Sequence, residues 1–229
     1  MEVAPLVQSL KGKLVVSVQA YPGEPLRHPE TMAQMAQACE EGGAAAIRCQ
    51  GLADIAAIKG RVEVPVIGLW KEGHEGVYIT PTLRHAIACV NAGADVVAID
   101  ATARPRPDGR TFAQTVRDLR AQCETLVMAD CMTIEDIRNA VVCGCDLVST
   151  TLSHNKPAIQ TTMDEGPDLD LLRQATGEFP GLPIICEGHV HTPADAAAAM
   201  GAGAWAVVVG TGITHPTSLT KWFCAAVEG

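Results

Sequence analysis

Eight short apolar runs recur along the chain, and this repetition constrains the fold more than any other feature of the sequence. Each run is rich in Val, Ile, Leu and Ala over nearly its whole length, without a regular alternation of apolar and polar residues. Such runs are typical of parallel strands that are covered on both faces. The predicted strands are 14–18, 44–48, 65–69, 95–99, 126–129, 146–150, 182–186 and 205–209.

Amphipathic stretches with helical spacing lie between these runs. Thr133 and Thr192 are typical N-cap residues, and Pro193 suits the first helical position after Thr192. Glycine follows four of the predicted helices, at positions 43, 93, 144 and 203. Eight strands that alternate with about eight helices predict an α/β protein with a single (β/α)8 TIM barrel, for which ~250 residues is the usual length. A doubly wound open sheet is the alternative.

The chain is predicted to form one domain over residues 1–229, because no Ser/Gly-rich tract or charge run divides it. The formal net charge of −9 argues against a broad nucleic-acid-binding surface, which needs a basic face. No apolar run approaches the ~20 residues that span a bilayer, and residues 1–13 lack the pattern of a signal peptide. The nine cysteines include no CxxC pair and are predicted to be reduced thiols. We therefore expect a cytoplasmic protein that binds neither nucleic acid nor membrane.

Polar side chains follow seven of the eight predicted strands. In a (β/α)8 barrel the carboxyl ends of the strands meet at one mouth, where the chemistry of such proteins takes place. Any single polar residue there can be a structural ion-pair partner, but convergence from separate strands favours a functional site. The seven strand ends carry Gln19, Arg48 and Gln50, Lys71, Asp100, Asp130, Thr150 and Thr151, and Glu187, whereas the eighth strand ends at Gly210, Thr211 and Gly212.

Lys71 and Glu187 are the strongest catalytic candidates. A lysine that directly follows an apolar strand can lose its proton easily when it is partly buried, which suits a general base or a Schiff-base nucleophile. A carboxyl group at Glu187 can exchange protons or hold a substrate hydroxyl. The simpler alternatives are a surface lysine at Lys71, and at Glu187 an acid that pairs with Lys71 or Arg48 to stabilise the mouth.

Glycines close the last two strands, at Gly188 and on either side of Thr211. Loops after these strands often bind phosphate in (β/α)8 barrels through backbone N–H groups and a helix N-terminus. Tight turns are the alternative reason for the glycines. His189 and His191 form an HxH pair, but no third ligand accompanies it and no metal site is predicted. The Pro-rich run 104–109 either steers an anion or covers the rim, and 151–167 is long enough for a lid.

These strand ends resemble those of the bacterial N-acetylmannosamine-6-phosphate 2-epimerase family. The resemblance extends over nearly the whole chain, and its most specific parts are the RPRPDG run at 104–109 and the ITPT box at 79–82. The other matching segments are 17–20, 22–26, 42–48, 65–71, 92–102, 128–130, 150–153, 186–188 and 208–214.

The resemblance implies a (β/α)8 barrel that interconverts N-acetylmannosamine 6-phosphate and N-acetylglucosamine 6-phosphate in sialic acid catabolism, with no metal or organic cofactor. It identifies Lys71 as the catalytic lysine and Glu187 as its acidic partner. It assigns substrate binding to Gln19, Arg48 and Asp130, and the end of the sixth strand adds Thr151 to this set. We expect Lys71 to remove and return the C2 proton, Glu187 to move protons at the C1 oxygen, and Arg48 to stabilise the enolate.

The predicted phosphate-binding residues are Gly188, Gly210, Thr211, Gly212 and His215. His215 departs from the family pattern, in which a basic residue is expected before Pro216, and we expect Lys156 to compensate partly for that loss.

The expected partners are a phosphorylated amino sugar and a second copy of the chain in a homodimer. The apolar stretch 219–227 is either the last barrel helix or part of the dimer contact. Two other functions fit the same sequence: another phosphosugar epimerase or isomerase, and a non-catalytic regulator that binds a sugar phosphate.

Overall fold

The computed structural model describes residues 3–154 and 165–228 and shows a closed barrel of eight parallel strands. Each strand pairs with its neighbour in chain order, and β8 closes the barrel against β1. The predicted (β/α)8 fold is therefore confirmed, with strand ends that move by one or two residues. The strands are β1 Leu14–Val18, β2 Ala46–Gln50, β3 Val66–Leu69, β4 Val96–Asp100, β5 Leu126–Asp130, β6 Leu147–Ser149, β7 Ile184–Glu187 and β8 Ala206–Val209.

Helices cover the outside of the barrel and lie between successive strands. The described ranges contain two helices more than the predicted eight, one before β1 and one directly after β8. The helices are α1 Pro5–Ser9, α2 Pro29–Glu41, α3 Leu52–Lys59, α4 Leu83–Asn91, α5 Phe112–Arg120, α6 Ile134–Val142, α7 Leu169–Glu178, α8 Pro193–Gly201, α9 Thr211–Thr214 and α10 Pro216–Glu228. The predicted N-caps Thr133 and Thr192 both form capping boxes, with Asp136 and Asp195 respectively.

Side chains alternate along each strand between the barrel interior and the layer of helices. Val15 and Ala46 belong to the buried cluster inside the barrel, whereas Val16 and Ile47 pack under the helices. Because this alternation has a period of two, the residues that follow the apolar interior positions also face inward, at the mouth. This alternation thus directs the side chains of Arg48 in β2 and Asp130 in β5 into the barrel interior at the mouth.

The amino-terminal end of the barrel is closed by α1. Val7 and Leu10 are fully buried in the interior cluster, and the indole Nε1 of Trp205 donates a hydrogen bond of 2.9 Å to the carbonyl oxygen of Val7. This apolar floor leaves the opposite end as the open mouth.

Among residues 3–154 and 165–228, no helix has the length and apolar character that a membrane crossing needs. Most of the proposed lid, and Lys156 within it, lies in 155–164, outside the described residues.

Candidate active site

A cavity of about 670 Å³ opens at the carboxyl ends of the strands. This volume is typical of a site for a small molecule. Most of the residues predicted from the sequence line it: Gln19, Arg48, Lys71, Thr151, Glu187, Gly188, Gly210, Thr211 and His215. Among the described residues, Asp130 and Gly212 are the predicted site residues that do not line the cavity.

Arg48 and Asp130 form a bidentate ion pair at the base of the cavity. Arg48 Nη1 donates to Asp130 Oδ1 at 3.0 Å, and Nη2 donates to Oδ2 at 2.6 Å. Both side chains are almost fully buried, at 1% and 0% exposure. Asp130 therefore borders the cavity through Arg48 and Thr151, both of which line it.

Glu187 extends the same network at the end of β7. Its Oε1 atom lies 3.1 Å from Arg48 Nε, and its Oε2 atom lies 3.0 Å from the hydroxyl of Thr151. Thr150 fixes the backbone of Glu187, because its hydroxyl donates to the Glu187 carbonyl at 2.9 Å and accepts from the Glu187 N–H at 3.1 Å. Burial is the main cause that raises the pKa of Glu187, and Arg48 opposes it.

Lys71 is held by a short antiparallel bridge between its segment and Ile79. Thr80 secures this turn: its N–H bonds to the Trp70 carbonyl at 2.9 Å, and its hydroxyl accepts from the Trp70 N–H at 3.2 Å. Desolvation, followed by the charge of Arg48, lowers the pKa of Lys71 to about 8. Lys71 therefore loses its proton more easily near neutral pH than an ordinary lysine does, as a general base requires.

Gln19 projects into the cavity from the end of β1. Its Nε2 donates to the Ser17 hydroxyl at 2.9 Å, while its Oε1 is buried and has no hydrogen-bond partner among the described residues. A buried amide oxygen without a donor is costly. A donor group of a bound molecule, such as a hydroxyl or an amide N–H, would satisfy it.

The ends of β7 and β8 form the glycine-rich wall of the cavity. Gly188 has a φ of +102°, a conformation that few other residues adopt. Gly212 has a different reason to be glycine, since a Cβ atom there would lie 2.6 Å from the carbonyl oxygen of His191. Gly210 and Thr211 face the cavity at the start of the short helix α9.

His215 lines the cavity, but its ring nitrogens are engaged by protein groups. Nε2 lies 2.5 Å from Glu24 Oε1, and Nδ1 accepts from the Ser218 N–H at 3.3 Å, which caps the start of α10. Nε2 thus faces Glu24, and Nδ1 faces Ser218. His215 thus fixes the loop after β8, and any contact with a bound anion would compete with Glu24.

The structure also brings in residues that the sequence analysis did not select. Ser149 could have been predicted from the sequence, because it lies two positions before Thr151 and its side chain therefore faces the same side of the strand. Tyr21, Tyr78 and His191 reach the cavity from loops, and no strand pattern indicates them. Burial raises the pKa of Tyr21 to about 12, so that it can only donate or accept hydrogen bonds as a neutral phenol.

The Pro-rich run covers the rim of the barrel. Arg104 pairs with Asp100 at 2.7 Å, and the buried guanidinium of Arg106 donates to the Asp100 carbonyl. Both arginines are therefore engaged in holding this loop against the end of β4. The rim-covering alternative is the one that their contacts support.

Three histidines form a row of rings beside the glycine-rich wall. His154 stacks on His189 with ring centroids 3.9 Å apart, and His191 lies 5.7 Å from His189. In residues 3–154 and 165–228, no three side chains of the metal-ligating types are grouped as a metal site would need. Burial lowers the pKa of His191 and favours a neutral ring.

The arrangement as a whole combines a base, an acid and a buried cation within one cavity. A neutral lysine can take a proton from carbon, a carboxyl group with a raised pKa can give one to oxygen, and Arg48 can stabilise negative charge between them. This set suits proton transfer next to a carbonyl group.

A family model described as "Putative N-acetylmannosamine-6-phosphate epimerase" (NanE) matches residues 32–229 of the chain. Two curated relatives are named "Putative N-acetylmannosamine-6-phosphate 2-epimerase". The protein of Cutibacterium acnes is 55% identical over 224 residues, which cover 97% of both chains. That of Corynebacterium glutamicum (strain R) is 47% identical over 226 residues, which cover 97% of this chain and 96% of the relative.

A solved structure shares the fold over its full length. The N-acetylmannosamine-6-phosphate 2-epimerase of Clostridium perfringens superposes with a TM-score of 0.89 and 36% sequence identity. The match covers 99% of this chain and 98% of that one.

Proposed function

Because the chain belongs to the N-acetylmannosamine-6-phosphate epimerase family, we propose that it interconverts N-acetylmannosamine 6-phosphate and N-acetylglucosamine 6-phosphate by moving the proton at C2. The observation that carries this proposal is the pairing of two groups in one cavity. Lys71 has a pKa lowered to about 8, and Glu187 is a buried carboxyl group with a raised pKa. A base and an acid poised in this way are what epimerisation next to a carbonyl group requires.

The chemistry begins with the open-chain form of the sugar. Its C2 proton lies beside the C1 aldehyde and is acidic, because the electron pair left behind is delocalised onto the carbonyl oxygen. Removal of this proton makes C2 planar, and return of a proton to the opposite face produces the other epimer. No step needs a redox cofactor, because the sugar is neither oxidised nor reduced overall.

Lys71 is the base that removes the C2 proton. Desolvation disfavours its ammonium form, and its segment is fixed by the bridge to Ile79. A pKa near the working pH lets the same amine accept and return a proton.

Glu187 and Arg48 act on the C1 oxygen. Glu187 gives a proton to this oxygen as negative charge develops, and Arg48 lies beside it with a guanidinium that stays charged. The unpartnered amide oxygen of Gln19 accepts from the acetamido N–H or from a hydroxyl group of the sugar. The phosphate group would lie against Gly188, Gly210 and Thr211, where backbone groups border the cavity.

An NMR time course in deuterated water tests the proposal. N-acetylmannosamine 6-phosphate should convert to the other epimer, and solvent deuterium should appear at C2 of both sugars. Conversion without deuterium at C2 would reject proton abstraction, and no conversion at all would reject the epimerase function.

The same assay with other sugar phosphates, together with a binding measurement, separates the two other candidate functions. Faster turnover of a hexose phosphate that lacks the acetamido group would indicate another phosphosugar epimerase or isomerase. Tight binding without turnover of either epimer would indicate a regulator. The contact between His215 and Glu24 is the observation behind this alternative.

The chain is further proposed to form a homodimer through α10. None of the residues of α10 is buried in the described part of the chain, and Phe223 and Val227 are 71% and 85% exposed. A helix with so much exposed apolar surface favours contact with a second copy of itself about a twofold axis. Sedimentation analysis should find a dimer for the wild type and a monomer for Phe223→Asp. A monomeric wild type would overturn the proposal.

We also propose that the protein acts in the cytoplasm, in sialic acid catabolism. All nine cysteines are free thiols, which is consistent with a reducing compartment. Fractionation of cells with an antibody to the protein, and growth of a deletion strain on sialic acid, test the two parts of this proposal.

A further inference from the structure

The hydroxyl group of Thr151 lies between the two buried carboxyl groups of the mouth. Its Oγ1 atom is 3.0 Å from Asp130 Oδ1 and 3.0 Å from Glu187 Oε2. The Ser149 hydroxyl is its third hydrogen-bond partner. A threonine hydroxyl has one proton to donate and two lone pairs that accept. Thr151 can therefore donate to only one of the two carboxyl groups.

Two ionised carboxylates would leave one of these contacts without a proton. Thr151 would donate to one of them, and the oxygen of the other would face the Thr151 oxygen at 3.0 Å with lone pairs on both atoms. A contact between two oxygen atoms with no proton between them is costly in a buried site, even though Arg48 Nε lies 3.1 Å from the other oxygen of Glu187. A single proton on one carboxyl group completes the network, because that group then donates to Thr151 while Thr151 donates to the other.

Arg48 decides which carboxyl group carries the proton. Both of its η nitrogens bind Asp130, at 3.0 and 2.6 Å, whereas Glu187 meets only Nε at 3.1 Å. Two parallel charge-assisted hydrogen bonds strongly favour the ionised form of Asp130. Burial meanwhile raises the pKa of Glu187. The proton therefore belongs on Glu187.

We propose that Thr151 is a positioning residue that keeps Glu187 protonated, by accepting a hydrogen bond from Glu187 while it donates one to ionised Asp130. Ser149 completes the set by donating to the second lone pair of Thr151, and its own oxygen accepts from the Thr151 N–H at 3.1 Å. Every hydroxyl and carboxyl group of the network then has a partner of the correct kind.

The catalytic consequence rests on the proposed epimerase function. The C2 proton passes to the neutral amine of Lys71, and the electron pair of the C2–H bond forms a C1=C2 double bond. The π pair of the C1 carbonyl takes the proton of Glu187, which gives an enol. Lys71 becomes an ammonium ion and Glu187 a carboxylate, so the net charge of the site is unchanged. Lys71 then returns a proton to the opposite face of C2, the C1 carbonyl re-forms, and the O–H proton of the enol passes back to Glu187, which gives the other epimer.

Infrared titration of the substrate-free protein tests the proposal. At neutral pH the wild type should show the C=O stretch of a protonated carboxylic acid, and this band should be absent from Glu187→Gln. In Thr151→Val the hydroxyl is replaced by a methyl group of similar size, and the protonated form of Glu187 loses its acceptor. The pKa of Glu187 should then shift to a lower pH.

Two further variants control the measurement. Thr151→Ser keeps the hydroxyl and should keep the wild-type titration. Thr115→Val removes a buried hydroxyl of α5 that donates to the Thr111 carbonyl at 3.1 Å, and it should leave the Glu187 band unchanged. A pKa of Glu187 that rises in Thr151→Val would mean that Thr151 donates to an ionised Glu187, and it would overturn the proposal, as would an unchanged pKa.

The wild-type spectrum alone also decides the matter if Thr151→Val does not fold. Absence of the Glu187 band at neutral pH would overturn the proposal without any variant of Thr151. Because the spectra need no substrate, their failure would leave the epimerase function standing. Failure of the NMR assay would remove the epimerase function and leave the infrared result intact. In kinetics, the limb of the kcat/KM profile that depends on Glu187 should move to lower pH in Thr151→Val, and it should stay in place in Thr151→Ser.

Discussion

The lower and upper parts of the barrel interior are equally buried, but they are built from opposite kinds of side chain. Near the floor, Val15 and Leu147 face inward with no exposure to solvent. At the mouth, Arg48 of β2 and Asp130 of β5 also face inward, and their side chains are 1% and 0% exposed. The two regions therefore differ in chemistry rather than in accessibility.

This difference separates the source of stability from the source of activity. Each apolar side chain on the floor contributes ~25 cal/mol per Å² that it removes from water. Each charge at the mouth loses its hydration, and its partners repay that cost only while the network is complete. Substitutions on the floor should therefore lower stability alone, whereas those at the mouth should separate stability from activity.

The largest expected effect is the loss of activity in Lys71→Met. Removal of a general acid–base group slows turnover by about 10²–10⁴-fold, and the protein should remain folded because a buried charge has been removed. Initial rates of epimerisation measure the effect. Lys59→Met, at an exposed lysine that pairs with Asp95 at 2.6 Å, is the matched control and should retain its rate. A Lys71→Met rate close to that of the wild type would remove Lys71 from its role as the base.

Asp130→Ala should cause the next largest effect, on stability. It leaves the buried Arg48 without its bidentate partner, and such a loss costs about 3–5 kcal/mol. Chemical denaturation measures the free energy of unfolding. Asp170→Ala removes a carboxylate that is 98% exposed and pairs with Arg173, and it should change stability by less than ~0.5 kcal/mol. Equal effects of the two substitutions would contradict the distinction between mouth and surface.

Leu147→Ala tests the floor directly. A truncated core leucine loses burial and leaves a cavity, which together cost about 3 kcal/mol. Denaturant titration should show this loss, while the rate per folded molecule stays near that of the wild type. Val142→Ala is the control, since Val142 is 85% exposed. A rate that fell along with stability would show that the floor also shapes the site.

The fold could be predicted from the sequence because local patterns and the global structure agree. The apolar runs, the N-caps at Thr133 and Thr192, and the glycines after the helices all indicate the same alternation of strand and helix. The short helix α9 was missed because four residues carry no periodicity. α1 was missed because its burial depends on the barrel floor, which exists only after the barrel has closed.

The site could be predicted in part for the same reason. Strand parity places Arg48, Lys71 and Glu187 at one mouth, so their type and position were visible in the sequence. The bond between Thr151 and both carboxyl groups depends on the stagger between β5, β6 and β7, which no single strand reveals. The engagement of His215 by Glu24 was equally invisible, since the two residues are far apart in the chain and meet only in the closed barrel.

An effect of similar size is expected from the titration of Lys71. Its pKa is about 8 in the folded protein against an ordinary value of 10.5, so the unfolded chain binds more protons between these two pH values. The free energy of unfolding should therefore rise with pH through this window. Below pH 8 the full cost of burying the charge is present, and Lys71→Met should exceed the wild type in stability by about 3 kcal/mol. This advantage should vanish by about pH 10.5, whereas the difference between Lys59→Met and the wild type should not depend on pH.

The smallest expected effect is that of Trp205→Phe on the floor. Phe keeps an aromatic ring in place but removes the indole N–H that donates to the Val7 carbonyl at 2.9 Å. The loss of a buried hydrogen bond costs about 1 kcal/mol, and α1 should separate from the barrel more readily. Hydrogen exchange of the amides in α1 should quicken, while the epimerisation rate should not change because the mouth lies at the other end of the strands. A slower rate in Trp205→Phe would show that the polar network at the mouth depends on closure of the floor.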